Sequence, residues 1–347
     1  MPDRLPIAVV DDSRFDDHRS ADPHPERPER LDAARAALKH ALPEAERLDV
    51  AARPVLDEEA SRVHSSEYLS RLRTALDAGS GWGHIDADTY FCPDTKRAAW
   101  LAAGGAVELC RALLAGDAKK GIALLRPPGH HASSSQAMGF CLLNNVAVAA
   151  ADALDRGADR VAVVDWDVHH GNGTQEIFYG DDRILFVSLH QAPLYPGTGS
   201  VEEVGSAGAE GYTVNIPVPP GTGPAAYGEA FRSIVLPLLN AFGADLVLVS
   251  AGLDGHIRDP LAELELDANC YGALTTALAH HVDAMGHGRL ALFLEGGYDL
   301  QAIEESIAAM ASALRGEEIE LPSGSLRPSE EAALSRARRA VDAHWNL

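Results

Sequence analysis

The chain has 347 residues, 46% of them apolar, enough to bury a large core in one α/β domain. Its formal charge of -22 argues against general nucleic-acid or anionic-membrane binding; it suits a cationic substrate such as lysine or a polyamine, and equally a plain solubilising surface. Cys92, Cys110, Cys141 and Cys270 show no CxxC spacing, which speaks against a disulfide framework or a cysteine zinc site and fits a reducing cytoplasm.

Leu5–Val10 reads as a first buried strand ending in Asp11-Asp12. A long loop rich in His, Pro and charge follows over Asp16–Arg30, and Pro28-Glu29-Arg30 opens an Ala-rich helix to about Ala41. Val63–Tyr68 starts another helix with Ser at a cap position, Gly79–Pro93 is irregular, and Ala98–Leu114 has the pattern of a packed helix. Gly121–Leu125 is a short strand running into Arg126-Pro127-Pro128-Gly129-His130-His131, whose prolines and glycine constrain the backbone. Phe140–Ala150 reads as a buried helix. Val161–Val164, Ile184–Leu189, Thr213–Val218, Leu246–Ser250 and Leu290–Leu294 read as further strands, and Gly316–Leu347 as a polar connection plus one charged helix remote from the chemistry. Because these apolar runs lack period-two alternation, they predict a mainly parallel sheet covered by helices on both faces. No basic segment followed by a long apolar run opens the chain, and no stretch of ~18 uninterrupted apolar residues occurs, so neither export nor membrane spanning is expected.

The most informative stretch is Val161–Gly173, VAVVDWDVHHGNG, a β-branched strand that ends in acids and histidines. Side chains two apart on an extended strand share a face, so Asp165, Asp167 and His169 can converge just beyond its carboxyl end. Carboxylate oxygen with imidazole nitrogen suits Zn or Fe(II) better than Ca or Mg. Ligands of open parallel sheets bind outside the strands' carboxyl ends, and four such ends finish here in His130-His131, Asp165–His170, Asp254 and Tyr298. A catalytic metal keeps three protein ligands and an open position, and Asp167, His169 and Asp254 supply three. Asp165 then holds a histidine in one tautomer from the second layer. His130 and His131 suit acid and base work, and the Tyr298 phenol suits an oxyanion, with Gly296-Gly297 allowing close approach.

RPPGHHA at Arg126–Ala132, GFCLLNNVAVAA at Gly139–Ala150, DWDVHHGNG at Asp165–Gly173, SAGLD at Ser250–Asp254 and LEGGYDL at Leu294–Leu300 resemble the histone deacetylase family, which includes acetylpolyamine amidohydrolases. With VHSSEYL at Val63–Leu69 and YPGTG at Tyr195–Gly199, the resemblance covers roughly residues 5–315, leaving 316–347 as a peripheral extension of a single domain. It implies an arginase-like α/β fold with an eight-stranded parallel sheet, and one catalytic zinc on Asp167, His169 and Asp254. It also implies that His130 pairs with Asp165 and His131 with Asn172, where many members carry Asp. The backbone carbonyls of Asp165, Asp167, His169 and Leu189, with the Ser188 hydroxyl, match a structural potassium site. Phe140 and Tyr195 match the walls of an acyl-lysine tunnel and Gly139 its floor; Leu261, after Asp259-Pro260, falls where polyamine-selective relatives can carry an acidic gate, and Asp88 or Glu263 could reach the mouth.

The expected activity is zinc-dependent hydrolysis of N-acyl-lysine in proteins or peptides, with an acetylpolyamine amidohydrolase as the alternative. An arginase-like ureohydrolase would need DxHxD and DxD patterns, which Asp167–Gly171 and Asp254–His256 do not supply. A catalytically silent binding protein is the remaining alternative, and the presence of all three ligands, both histidines and Tyr298 speaks against it.

Overall fold

The computed structural model describes residues 5–77 and 81–347. Eight strands form one all-parallel sheet: β1 (Ile7–Val10), β2 (Arg47–Asp49), and, after the small hairpin β3 (Gly83–His84) and β4 (Tyr90–Phe91), β5 (Lys120–Ala123), β6 (Val161–Asp165), β7 (Ile184–Gln191), β8 (Thr213–Val218), β9 (Leu246–Ala251) and β10 (Leu290–Leu294). Their order is β2-β1-β5-β10-β9-β6-β7-β8. Helices cover both faces, so β6, β9 and β10 are buried along their whole length, as their unbroken apolar runs require. Each fully buried Val of β6 contributes about 1.5–3 kcal/mol, which anchors a strand that must end in charge.

This order matters for function. The strands that lead to His130 and His131, Tyr298, Asp254 and Asp165–His170 are β5, β10, β9 and β6, four neighbours at the centre of the sheet. Lateral register places Asp165 between Ser250 of β9 and Ser188 of β7.

Three local expectations change. The run Phe140–Ala150 is not one helix: the helix spans Asn145–Asp155, and the Asn144 side chain caps it by accepting the Ala147 N–H at 3.0 Å. Upstream of the cap, Phe140 has φ +69° and the apolar residues pack as loop. The irregular stretch Gly79–Pro93 contains the hairpin β3–β4, with Gly79 and Ser80 outside the described residues. The edge strand β2 was not expected, since three half-exposed residues, RLD, carry no strand pattern. Helix Thr95–Ala115 is long and apolar enough to cross a membrane, and here 72% of its apolar window is buried inside the fold. At the carboxyl end, Pro328–Asp342 is a helix on β8 that buries Ala333, Leu334, Ala337 and Val341, away from the central strand ends.

Candidate active site

Asp167, His169 and Asp254 bring one ligand atom each to within 4.8 Å of one another. His169 Nδ1 lies 3.2 Å from Asp167 Oδ1 and 3.1 Å from Asp254 Oδ2. Backbone donors hold the remaining oxygens: the Val168 N–H donates to Asp254 Oδ1 at 2.9 Å and the Gly296 N–H to Asp167 Oδ2 at 2.8 Å. Residue 296 must be glycine, because a Cβ there would sit 2.1 Å from Asp254 Oδ2. An O, N, O set converging in this way fits a divalent cation of the zinc type. The charges point the same way. Burial, followed by the Asp167 charge, raises the Asp254 carboxyl, and burial raises Asp165 to about 6 and Glu295 to about 7. Carboxylates gathered so closely in the interior call for a positive partner.

The two histidines beside this triad stand in opposite surroundings. His130 Nδ1 meets Asp165 Oδ2 at 2.9 Å, and its Nε2 lies 3.8 Å from Asp167 Oδ1. Burial opposes its charged form, but Asp167 and Asp165 outweigh that and push it up to about 10. His131 Nδ1 meets the neutral Asn172 Oδ1 at 2.7 Å. Burial, then the positive charges of His130 and His169, hold it well below the usual histidine range. With Nδ1–H donating to the amide oxygen, its Nε2 is the proton acceptor.

Above them lies a cavity of about 240 Å³ lined by Asp88, His130, His131, Gly139, Phe140, Tyr195, Leu261 and Tyr298 among others. The Tyr195 ring stands perpendicular to His131, centroids 5.2 Å apart, and the Phe140 ring perpendicular to Tyr298 at 6.0 Å. Gly139, at φ +56°, lies so close to the His131 ring that a Cβ would come within 2.4 Å of Cδ2. Burial and the Asp254 charge keep the Tyr298 phenol protonated, as an O–H donor. Every substrate-facing residue expected from the sequence except Glu263 borders this cavity. At the expected potassium position, Ser188 Oγ bonds His190 Nδ1 at 2.9 Å and the Tyr227 hydroxyl donates to the Leu189 carbonyl at 3.4 Å.

Several supporting residues escaped the sequence reading. Glu295 Oε2 accepts the Gly129 and His130 N–H groups at 2.7 and 3.2 Å, fixing the histidine turn. Glu26 accepts from Arg126 and Arg30, both fully buried, and Arg30 donates in turn to the carbonyls of Gly297 and Glu295. His64 bridges the Ser133 carbonyl and the Asn144 N–H. Arg126, His64 and Glu295 lie inside the motifs RPPGHHA, VHSSEYL and LEGGYDL, which marked their positions but not their roles, whereas Glu26 and Arg30 left no signal of a site.

A parallel sheet whose central strand ends deliver an Asp-His-Asp triad suited to a cation, two histidines and a tyrosine to the floor of an aromatic-walled cavity defines a class of hydrolytic enzymes built on an α/β fold. Within it, this chain belongs to the histone deacetylase family: residues 24–314 match the histone deacetylase domain. It is 42% identical over 317 residues to a probable deacetylase of Archaeoglobus fulgidus, covering 88% of this chain and 87% of that one. It is 40% identical over 334 residues to the human polyamine deacetylase HDAC10, covering 92% of this chain but 49% of the human one. The solved HDA15 HD domain superposes with a TM-score of 0.91 at 40% identity, covering 98% of this chain and 97% of that one.

Proposed function

We propose that this protein is a zinc-dependent amidohydrolase that cleaves the acyl amide of N-acyl-lysine, chiefly acetyl-lysine, in proteins or peptides. The observation that carries the reading is the O, N, O triad placed beside an unequal histidine pair and Tyr298 at the foot of a narrow aromatic tunnel. Asp167, His169 and Asp254 would hold the zinc, which when bound supplies polarisation of the amide carbonyl and acidification of a water. His131, kept neutral, takes a proton from that water at Nε2 as its oxygen joins the acyl carbon, then returns it to the lysine nitrogen as the C–N bond breaks. His130, kept charged by Asp165, and the Tyr298 hydroxyl offset the negative charge that develops on the acyl oxygen. The second proton of the water passes from the new carboxylic acid to the amine, so the products are a carboxylate and a lysine ammonium. Phe140 and Tyr195 clasp the methylene chain and exclude water.

A potassium ion would sit among the carbonyls of Asp165, Asp167, His169 and Leu189 with the Ser188 hydroxyl; the register that sets Ser188 beside Asp165 supports this. A reducing cytoplasm is part of the proposal, supported by four buried free thiols.

Similarity to a polyamine deacetylase favours acetylpolyamines as a second reading. Against it, Leu261 gives the mouth an apolar rim with no ionic attraction for a second ammonium, leaving Asp88 as the acid on the cavity wall. Metal analysis with kcat/KM on acetyl-lysine peptides and on acetylspermidine tests both. Peptide is expected to win, and Leu261→Glu to shift the ratio toward the polyamine. A wild-type preference of about tenfold or more for acetylspermidine, some 1.4 kcal/mol, replaces the lysine reading with the polyamine one. Zinc bound without any hydrolysis leaves only the silent binding protein.

A further inference from the structure

Asp259-Pro260-Leu261 forms a turn between two cavities. Leu261 lines the tunnel, Pro260 lines an outer groove of about 890 Å³, and Tyr298 borders both. Asp259 itself is 6% exposed and reaches neither; its carboxylate is spent on backbone. Oδ2 accepts the Tyr298 N–H at 2.7 Å, and Oδ1 accepts the Leu261 N–H at 3.0 Å. Its own N–H donates to the His256 carbonyl at 2.8 Å, so the carboxylate is anchored from behind.

Tyr298 needs such an anchor. It follows Gly296 and Gly297, the latter at φ +114°, and glycines offer no side chain by which packing could hold the segment. The Gly296 N–H is held by Asp167 and the Tyr298 N–H by Asp259, so one carboxylate sets where the phenol's backbone begins. The same carboxylate sets the height of the rim.

We propose that Asp259 is a positioning residue that ties the tunnel rim at Leu261 to Tyr298, so that the oxyanion donor and the substrate-contacting rim move as one unit. The inference rests on the amidohydrolase reading for its kinetic consequence, but the tie can be read without turnover.

Asp259→Asn keeps shape but turns an amide NH₂ toward one of the two N–H groups, breaking one bond. It is expected to lower kcat by about 10- to 100-fold, the effect of losing one hydrogen bond to a charged group, with KM on acetyl-lysine peptide changed far less. Metal content should be unchanged. In a Tyr298→Phe background the same substitution should cost less than about a further twofold, because it acts through a hydroxyl already removed. Equal losses in both backgrounds, or no loss in the wild type, overturn the proposal. Hydrogen exchange at the Tyr298 amide supplies the second readout: Leu261→Pro, which deletes the N–H, should speed it, and Leu261→Ala should not. Equal exchange in the two Leu261 variants overturns the tie even if Asp259→Asn fails to fold. A wild type that exchanges as expected yet hydrolyses nothing overturns the amidohydrolase reading alone.

Discussion

Two buried charge clusters lie within reach of the same strand ends, and they are balanced in opposite ways. Around Glu26, a single carboxylate takes guanidinium donors from both Arg30 and Arg126, and the Tyr90 hydroxyl at 2.8 Å. Arg126 spends its other donors on the carbonyls of Phe15 and His18. Burial would raise the Glu26 carboxyl, but Arg126 and Arg30 hold it far below the usual range. Around Asp167, three aspartates and Glu295 face three histidines, of which only His130 and His169 are held in the charged form, and Asp165, Asp254 and Glu295 are pushed upward. A cluster that closes its own charge holds the fold together; one left with surplus carboxylate is suited to a cation. The first clamps the His/Pro-rich loop to the Gly297 carbonyl, beside the second.

Asp254→Ala should separate the two most sharply. Removing one of three protein ligands is expected to abolish metal binding and hydrolysis together while thermal unfolding of the metal-free forms stays similar. Full metal occupancy with near-normal turnover would remove Asp254 from the site. Glu26→Gln should do the reverse, costing about 3–5 kcal/mol in urea unfolding because it strands buried arginine charge, with the metal still bound. A cost below about 1 kcal/mol would mean that the arginines find other partners.

Tyr298→Phe touches neither balance. It should retain metal and stability but lower kcat by about 100- to 1,000-fold, the usual effect of deleting one oxyanion donor, and unchanged kcat would leave the tyrosine a packing residue. His64 offers a third case, a buried group with no charged partner. Burial, offset only by the Ser133 carbonyl, lowers it to about 4 from an ordinary 6.5. The unfolded chain therefore binds the extra proton first, so this contribution is present above about pH 6.5 and is lost as pH falls toward 4, by about 3 kcal/mol at most. His64→Gln should flatten the stability profile between those pH values; an unaltered slope would show that His64 takes up its proton at the same pH in the folded and unfolded states.

By itself the sequence determined the central strands, because an unbroken β-branched run such as Val161–Val164 has few conformations that bury it all. It also determined the triad and histidine pair, because Asp167 and His169 lie two residues apart and the other groups follow recognisable strand ends. Those are local patterns, set by neighbours within a few residues. What the tertiary structure alone decided is of another kind. Phe140–Leu143 is as apolar as a helix interior, yet it is loop, since the cap at Asn144 and the left-handed Phe140 suit a tunnel wall. Glu26 and Arg126 are 100 residues apart, and Asp259 reaches Tyr298 across 39. No local pattern marks such partners, because an acid in a polar loop reads the same whether it faces water or a buried N–H. Only the order of the strands brings the two ends of each pair together.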